Sequence, residues 1–167
     1  NEMTQIARFL TEKETQQAAE YYSSLKWGPW MKVVESATAP KTRQSPAGMF
    51  LPLDGGETEP LGERIIEVPQ DTDRTERLRD PHSGFIAYVP VGSLAKGKEI
   101  VTTGAHKTIP CATCHGEDLL GMEDIPPIAG RSASYTMRQL YNFQQGTRQS
   151  PTMKAVVQKL NTDDLIS

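Results

Sequence analysis

The run Cys111-Ala112-Thr113-Cys114-His115-Gly116 gathers both cysteines of the chain and one of its three histidines. Cys-x-x-Cys-His is the attachment signal of c-type haem. Two thiols three positions apart on one helical turn can reach the two vinyl groups on one side of a porphyrin. His115 follows under the ring, placed to hold iron from the proximal side. Gly116 has no Cβ and lets backbone come close to the ring.

Other chemistries use the same residue types. A thioredoxin-like Cys-x-x-Cys follows a βαβ pattern, and none precedes this one. A zinc site could recruit Cys111, Cys114, His115 and His106. The adjacent pair Cys114 and His115, however, cannot easily bind one metal together in good geometry. A Cys111–Cys114 disulfide would close a strained small ring.

A chain of 167 residues makes one or two small domains. Only 37% of it is hydrophobic, so a core that leans on a cofactor is expected. The net charge of -3 gives no reason to expect a nucleic-acid partner. The propionates of a haem would add about two more negative charges. No apolar run is long enough to cross a bilayer, and no signal peptide is visible. The first residue is Asn1 rather than an initiator Met, which reads as processing, trimming or a partial chain.

The elements that must position the motif follow from periodicity and punctuation. Met3, Ile6, Ala7 and Leu10 fall on one face of a short helix. Thr11-Glu12-Lys13-Glu14 reads as an N-cap with an acidic first turn. A second helix then runs through Ala18, Ala19, Tyr22 and Leu25 to a stop at Gly28-Pro29. From Trp27 to Val91 proline and turn signals dominate. Two strands are expected there, Arg64–Val68 and Gly84–Val89, separated by a charged, solvated stretch from Asp71 to Asp80. His82 reads as a turn residue. Ser93 is expected to cap a helix carrying Leu94, Ala95, Ile100 and Val101 and ended by Gly104. His106 reads as an exposed loop residue. After the motif, a helix is expected from about Ser134 to Gln145, with Leu140, Tyr141 and Phe143 as its apolar surface and Gly146 as its stop. Ser150-Pro151 starts the next helix, on which Met153, Val156, Val157 and Leu160 form a stripe. A further helix begins at Thr162.

Residues 93–167 resemble a class I cytochrome c domain, of the kind found in tandem diheme cytochromes similar to cytochrome c4. The resemblance rests on the Cys111–Gly116 run and on Pro126-Pro127-Ile128-Ala129-Gly130-Arg131. It rests also on Tyr135, Gln139-Leu140, Phe143 and Gly146-Thr147-Arg148 ahead of Met153. It implies that Cys111 and Cys114 form thioethers to one haem c and that His115 is the proximal ligand. The Pro126 carbonyl would accept the His115 Nδ1 proton, and Ile128 would lie in the same haem-facing loop. Met153 matches the distal ligand, with Met122 and Met137 as rivals. Arg131, Tyr135 and Arg148 stand where such proteins contact haem propionates.

The implied fold is mainly α: a helical haem domain at 93–167, an irregular segment with short strands at 27–92, and a helical piece at 1–26. The resemblance also calls for a long final helix across Ser93–Thr103, which the sequence does not contain. Met3-x-x-Ile6-Ala7-x-x-Leu10 repeats Met153-x-x-Val156-Val157-x-x-Leu160 at an offset of 150. Residues 1–26 therefore read as the tail of a preceding cytochrome domain, whose own haem would be a second one.

The expected activity is one-electron transfer through a His/Met-ligated haem c. The expected partners are redox proteins or a larger respiratory or dehydrogenase complex, in the bacterial periplasm or another extracytoplasmic compartment. A haem module serving a dehydrogenase or oxidase, and a haem-based ligand sensor, are the alternatives.

Overall fold

The computed structural model describes residues 2–26 and 28–167. The boundary expected at Trp27 lies outside the described residues. The chain runs α1 (Glu2–Arg8), α2 (Glu12–Ser24), β1 (Met31–Glu35), β2 (Thr38–Pro40), β3 (Thr42–Gln44), β4 (Phe50–Pro52), β5 (Thr58–Pro60), β6 (Ile66–Pro69) and β7 (Phe85–Val89). It continues through α3 (Ser93–Thr103), α4 (Ala112–His115), α5 (Ala133–Gln145), α6 (Pro151–Val157) and α7 (Thr162–Ile166). The architecture is mainly helical with short strands.

Helix starts follow side-chain caps, with two shifts from expectation. Thr11 caps α2 through a capping box with Glu14, and Ser150 caps α6 with Pro151 in its first turn. Ser132, one residue further back than needed for a start at Ser134, caps α5 by accepting the Tyr135 N–H. Ser93 does not cap α3: Gly92 holds that position with φ +95, which leaves the end without a side-chain cap of its own. The carboxylate of Glu35, at the end of β1, accepts the Leu94 N–H at 2.7 Å instead. A cap from so distant a residue has no local signature in the sequence.

The segment before α3 is more structured than a connector. The two expected strands exist, at Ile66–Pro69 and Phe85–Val89. β7 is the middle strand of a three-stranded sheet, paired in parallel with β1 and antiparallel with β6. β2 pairs with β5 and β3 with β4, both antiparallel. These extra strands were not expected, because they are short and three of them contain proline. Ala39, Leu51, Leu61, Val68, Ala87 and Val89 are all buried in this segment. The charged stretch forms a π-helical turn at Asp73–Arg77, in which Arg77 meets Asp73 and the neighbouring Arg74 meets Asp80, both at 2.6 Å.

The helical core is Ile100 of α3, Leu160 and Leu165, with Ala105, Met137 and Leu140 packed against it. Phe143 is buried, but Tyr141 is 47% exposed and adds little to that core. α7 closes onto α3: a Cβ on Gly97 would lie 2.9 Å from the Ser167 carbonyl carbon. Asp164 locks the same junction. Its carboxylate meets Lys96 of α3 at 2.9 Å and Lys107 at 2.7 Å, and it accepts the Asn161 N–H at 3.0 Å. By contrast, α1 and α2 contribute no buried residue. Tyr22 is 68% and Leu25 47% exposed, so α2 does not cover α3.

Candidate haem-attachment site

Four residues, Ala112–His115, form the single helical turn α4, which begins directly after Cys111. The His115 and Cys114 N–H groups both donate back to the Cys111 carbonyl. That turn brings the two thiols and the imidazole onto one short element. Both cysteines are free and half-buried. Burial pushes the Cys111 thiol pKa upward. Among the described residues no three His, Cys, Asp or Glu side chains converge as a metal cage. His106, the fourth ligand a zinc site would need, is exposed, but it ends a short 3-10 turn over Gly104–His106, at φ +57, rather than lying in a loop.

His115 is nearly buried, and its Nδ1 lies 2.8 Å from the Pro126 carbonyl oxygen. A carbonyl only accepts, so Nδ1 carries the proton and Nε2 keeps its lone pair. Nε2 has no hydrogen-bond partner among the described residues. An imidazole held at Nδ1 and left open at Nε2 has the donor arrangement of a haem or metal ligand. The two thiols and this nitrogen fit a covalent haem c.

The loop from Gly116 to Ala129 is folded to present the Pro126 carbonyl. Gly121 donates to the His115 carbonyl at 2.9 Å, and the Ile128 and Ala129 N–H groups donate to the Leu119 carbonyl. Gly121 sits at φ +88, and a Cβ there would come within 2.5 Å of the Ile125 carbonyl oxygen. No other residue type closes this loop without displacing Pro126. Gly116 is also left-handed, at φ +85, so its own backbone conformation requires glycine apart from any approach to a ring.

The three candidate methionines occupy different settings. Met137 packs into the Ile100–Leu160–Leu165 core. Met122 is 46% exposed, bridged by backbone to Ile125 in the loop that follows His115. Met153 is half-buried in the first turn of α6, its N–H capped by Ser150. The Thr108 hydroxyl donates to the Val156 carbonyl at 2.5 Å, which ties α6 to the loop just ahead of Cys111. Ile128 is half-buried in the same loop as Pro126. The remaining candidates are exposed. Arg131 donates to the Pro127 carbonyl at 3.3 Å, and Tyr135 lies under the Arg138 guanidinium. Arg148 is engaged with Gln139 at 2.5 Å and stacked over the Phe143 ring at 4.6 Å.

A helical turn bearing Cys-x-x-Cys-His, with the histidine tautomer fixed by a proline carbonyl, is similar to the haem-attachment turn of c-type cytochromes. The chain resembles class I cytochromes of the tandem cytochrome c4 kind. It is 36% identical over 75 residues to the thiosulfate dehydrogenase electron acceptor of Stutzerimonas stutzeri, a match covering 42% of this chain and 35% of that protein. The chain thus spans about a third of the length of that curated relative. Cytochrome c4 of Acidithiobacillus ferrooxidans is similar over 47% of each chain, at 29% identity and a TM-score of 0.43. Cytochrome c4 of Pseudomonas stutzeri is similar over 47% of this chain and 45% of its own, at 28% identity and a TM-score of 0.42. No family model matches the chain.

Proposed function

We propose that this chain carries single electrons through one covalently attached haem c. The observation that supports this most is the His115 Nδ1 contact to Pro126 at 2.8 Å, which leaves Nε2 unpartnered on the turn that carries both thiols. When bound, the haem would supply a one-electron ferric/ferrous couple. Cys111 and Cys114 would hold it by thioethers. His115 would donate its Nε2 lone pair, and Pro126 would keep the proton on Nδ1. Met153 would be the second side chain to hold the iron, because Met137 is committed to the core and Met122 lies in the loop directly after His115. A thioether sulfur there favours the ferrous state and raises the potential. With His115 and Met153 both holding the iron, the chain would leave it no position for a substrate. Arg131, Tyr135 and Arg148 are exposed and able to turn toward propionates.

The partner we propose is a dehydrogenase that delivers electrons to this chain, because the Stutzerimonas relative is named as the electron acceptor of thiosulfate dehydrogenase; the compartment we propose is the periplasm. Among the described residues no helix is long and apolar enough to cross a membrane. The test of the ligand set is Met153→Ala. It should abolish the weak far-red band of sulfur-to-iron ligation, lower the potential and open the iron to carbon monoxide. Carbon monoxide binding to the unmodified reduced protein would favour the ligand-sensor reading instead.

For residues 2–26 we infer a helical tail made to pack on a second cytochrome domain. Two observations support it. α2 and α7 both begin with a capping box, at Thr11/Glu14 and Asn161/Asp164, which stand 150 positions apart. The apolar residues Ile6, Phe9 and Leu10 meanwhile stay exposed.

A further inference from the structure

Among the described residues, three side chains of the strand segment hydrogen-bond to the haem-attachment half, and two of them reach one short stretch. Trp30, just ahead of β1, donates its Nε1 proton to the Gly130 carbonyl at 2.8 Å. Glu67 of β6 accepts from three donors at the start of α5. Ser132 Oγ lies 2.9 and 2.7 Å from its two oxygens, the Ser134 N–H donates at 3.0 Å, and the Ser134 hydroxyl donates at 2.5 Å. The third contact is Glu35 on the start of α3. Gly130 to Ser134 is the direct continuation of the loop that carries Pro126. From Pro126 onward that loop is fastened at Ile128 and Ala129 to Leu119, at Gly130 to Trp30, and at Ser132 and Ser134 to Glu67.

We propose that Glu67 is a positioning residue for the haem ligand: through Ser132 and Ser134 it holds the loop whose Pro126 carbonyl fixes the His115 proton. The strand segment then acts as an external brace on the proximal side, not as a passive connector. The physical basis is the strength of hydrogen bonds to a carboxylate, roughly twice that of neutral ones. The carboxylate also faces the positive end of a 13-residue helix. Glu67 itself is half-buried on a strand locked in register, opposite Ala87 of β7, so its own position is set by the sheet. This inference rests on the assignment of His115 as the haem ligand.

The test compares wild type, Glu67→Ala, Glu67→Gln and Glu35→Ala in the haem-loaded protein. Three quantities are read: the exchange lifetime of the His115 Nδ1 proton, the midpoint potential and Tm. Glu67→Ala is expected to shorten the proton lifetime by roughly tenfold, the worth of one good hydrogen bond, and to raise the potential. Glu67→Gln keeps an acceptor for the serines and is expected to recover part of the lifetime. Glu35→Ala removes an equal charge and the single-bond cap of α3, and is expected to lower Tm while leaving the lifetime unchanged. If Glu67→Ala lowers Tm as Glu35→Ala does but leaves the proton lifetime unchanged, Glu67 is a helix cap only and the proposal falls. The haem assignment fails separately, through absence of covalent haem. Amide exchange at Ile128 and Ala129 still reads the brace in that case: faster exchange in Glu67→Ala supports it, and unchanged exchange overturns it.

Discussion

His115 and its proline partner are the residues on which the chemistry turns. An imidazole is ambiguous between two tautomers until one nitrogen is committed. Here the Pro126 carbonyl commits Nδ1, and Gly121 makes that carbonyl available. Gly121→Ala would place a Cβ 2.5 Å from the Ile125 oxygen and 2.9 Å from the Pro127 nitrogen, both backbone atoms that cannot swing aside. We expect a loss of more than about 1 kcal/mol of stability in denaturant titration, together with a changed His115 proton resonance. A small solvent-exposed Gly→Ala effect with an unchanged resonance would show that the loop does not depend on this residue.

At the scale of elements, the junction of α3, the loop at Lys107 and α7 is held by one buried carboxylate. Burial pushes the Asp164 pKa up, but Lys107, the Asn161 N–H and Lys96 outweigh it and bring it down to about 2 from 3.8. A depressed carboxylate stabilises the fold above its unfolded pKa, and that stability is lost as pH falls through the folded value. The contribution is about 2 kcal/mol, fully present above about pH 5 and disappearing as pH falls from there toward 2. Asp164→Asn should therefore lower stability by about 2 kcal/mol at pH 7 and flatten the acid limb of the stability curve between pH 4 and 2. An unchanged acid limb would place that dependence on other carboxylates.

The same elements mark what a sequence can disclose. The turn at Cys111–His115, the caps at Thr11 and Ser150 and the stop at Gly146 are local, and each follows from the residue types at fixed offsets. The cap on α3 is not local. It comes from Glu35, 59 positions away, and Gly92 in place gives no hint of it. Glu67 is similar: it belongs to the strand Ile66–Pro69 but acts on Ser132 and Ser134. The short strands β2 to β5 escaped notice because three residues are too few for an alternation to register. Burial of Leu51 and Leu61 depends on how those strands fold together, which no single stretch encodes.

On the scale of the whole molecule, residues 2–26 contribute helices without burial, while residues 28–167 hold every buried side chain among the described residues. An apolar face left in water forgoes roughly 25 cal/mol per Å², so α1 and α2 are stable elements of this chain only weakly. Removal of residues 2–26 should change the stability of the remainder by no more than about 0.5 kcal/mol and leave the potential unaltered. A large loss in thermal unfolding would mean that α1 and α2 support the haem-binding half after all.

The central claim is that this chain holds one covalent haem c through Cys111 and Cys114. Its most direct measurement is the intact mass of the protein matured with haem on the export side, taken with a pyridine haemochrome spectrum of the same sample. The account predicts the mass of the chain plus one haem, a haemochrome of the two-thioether kind, and colour that stays with the protein in acid–acetone. A mass equal to the bare chain, with colour passing into the organic layer, would contradict it.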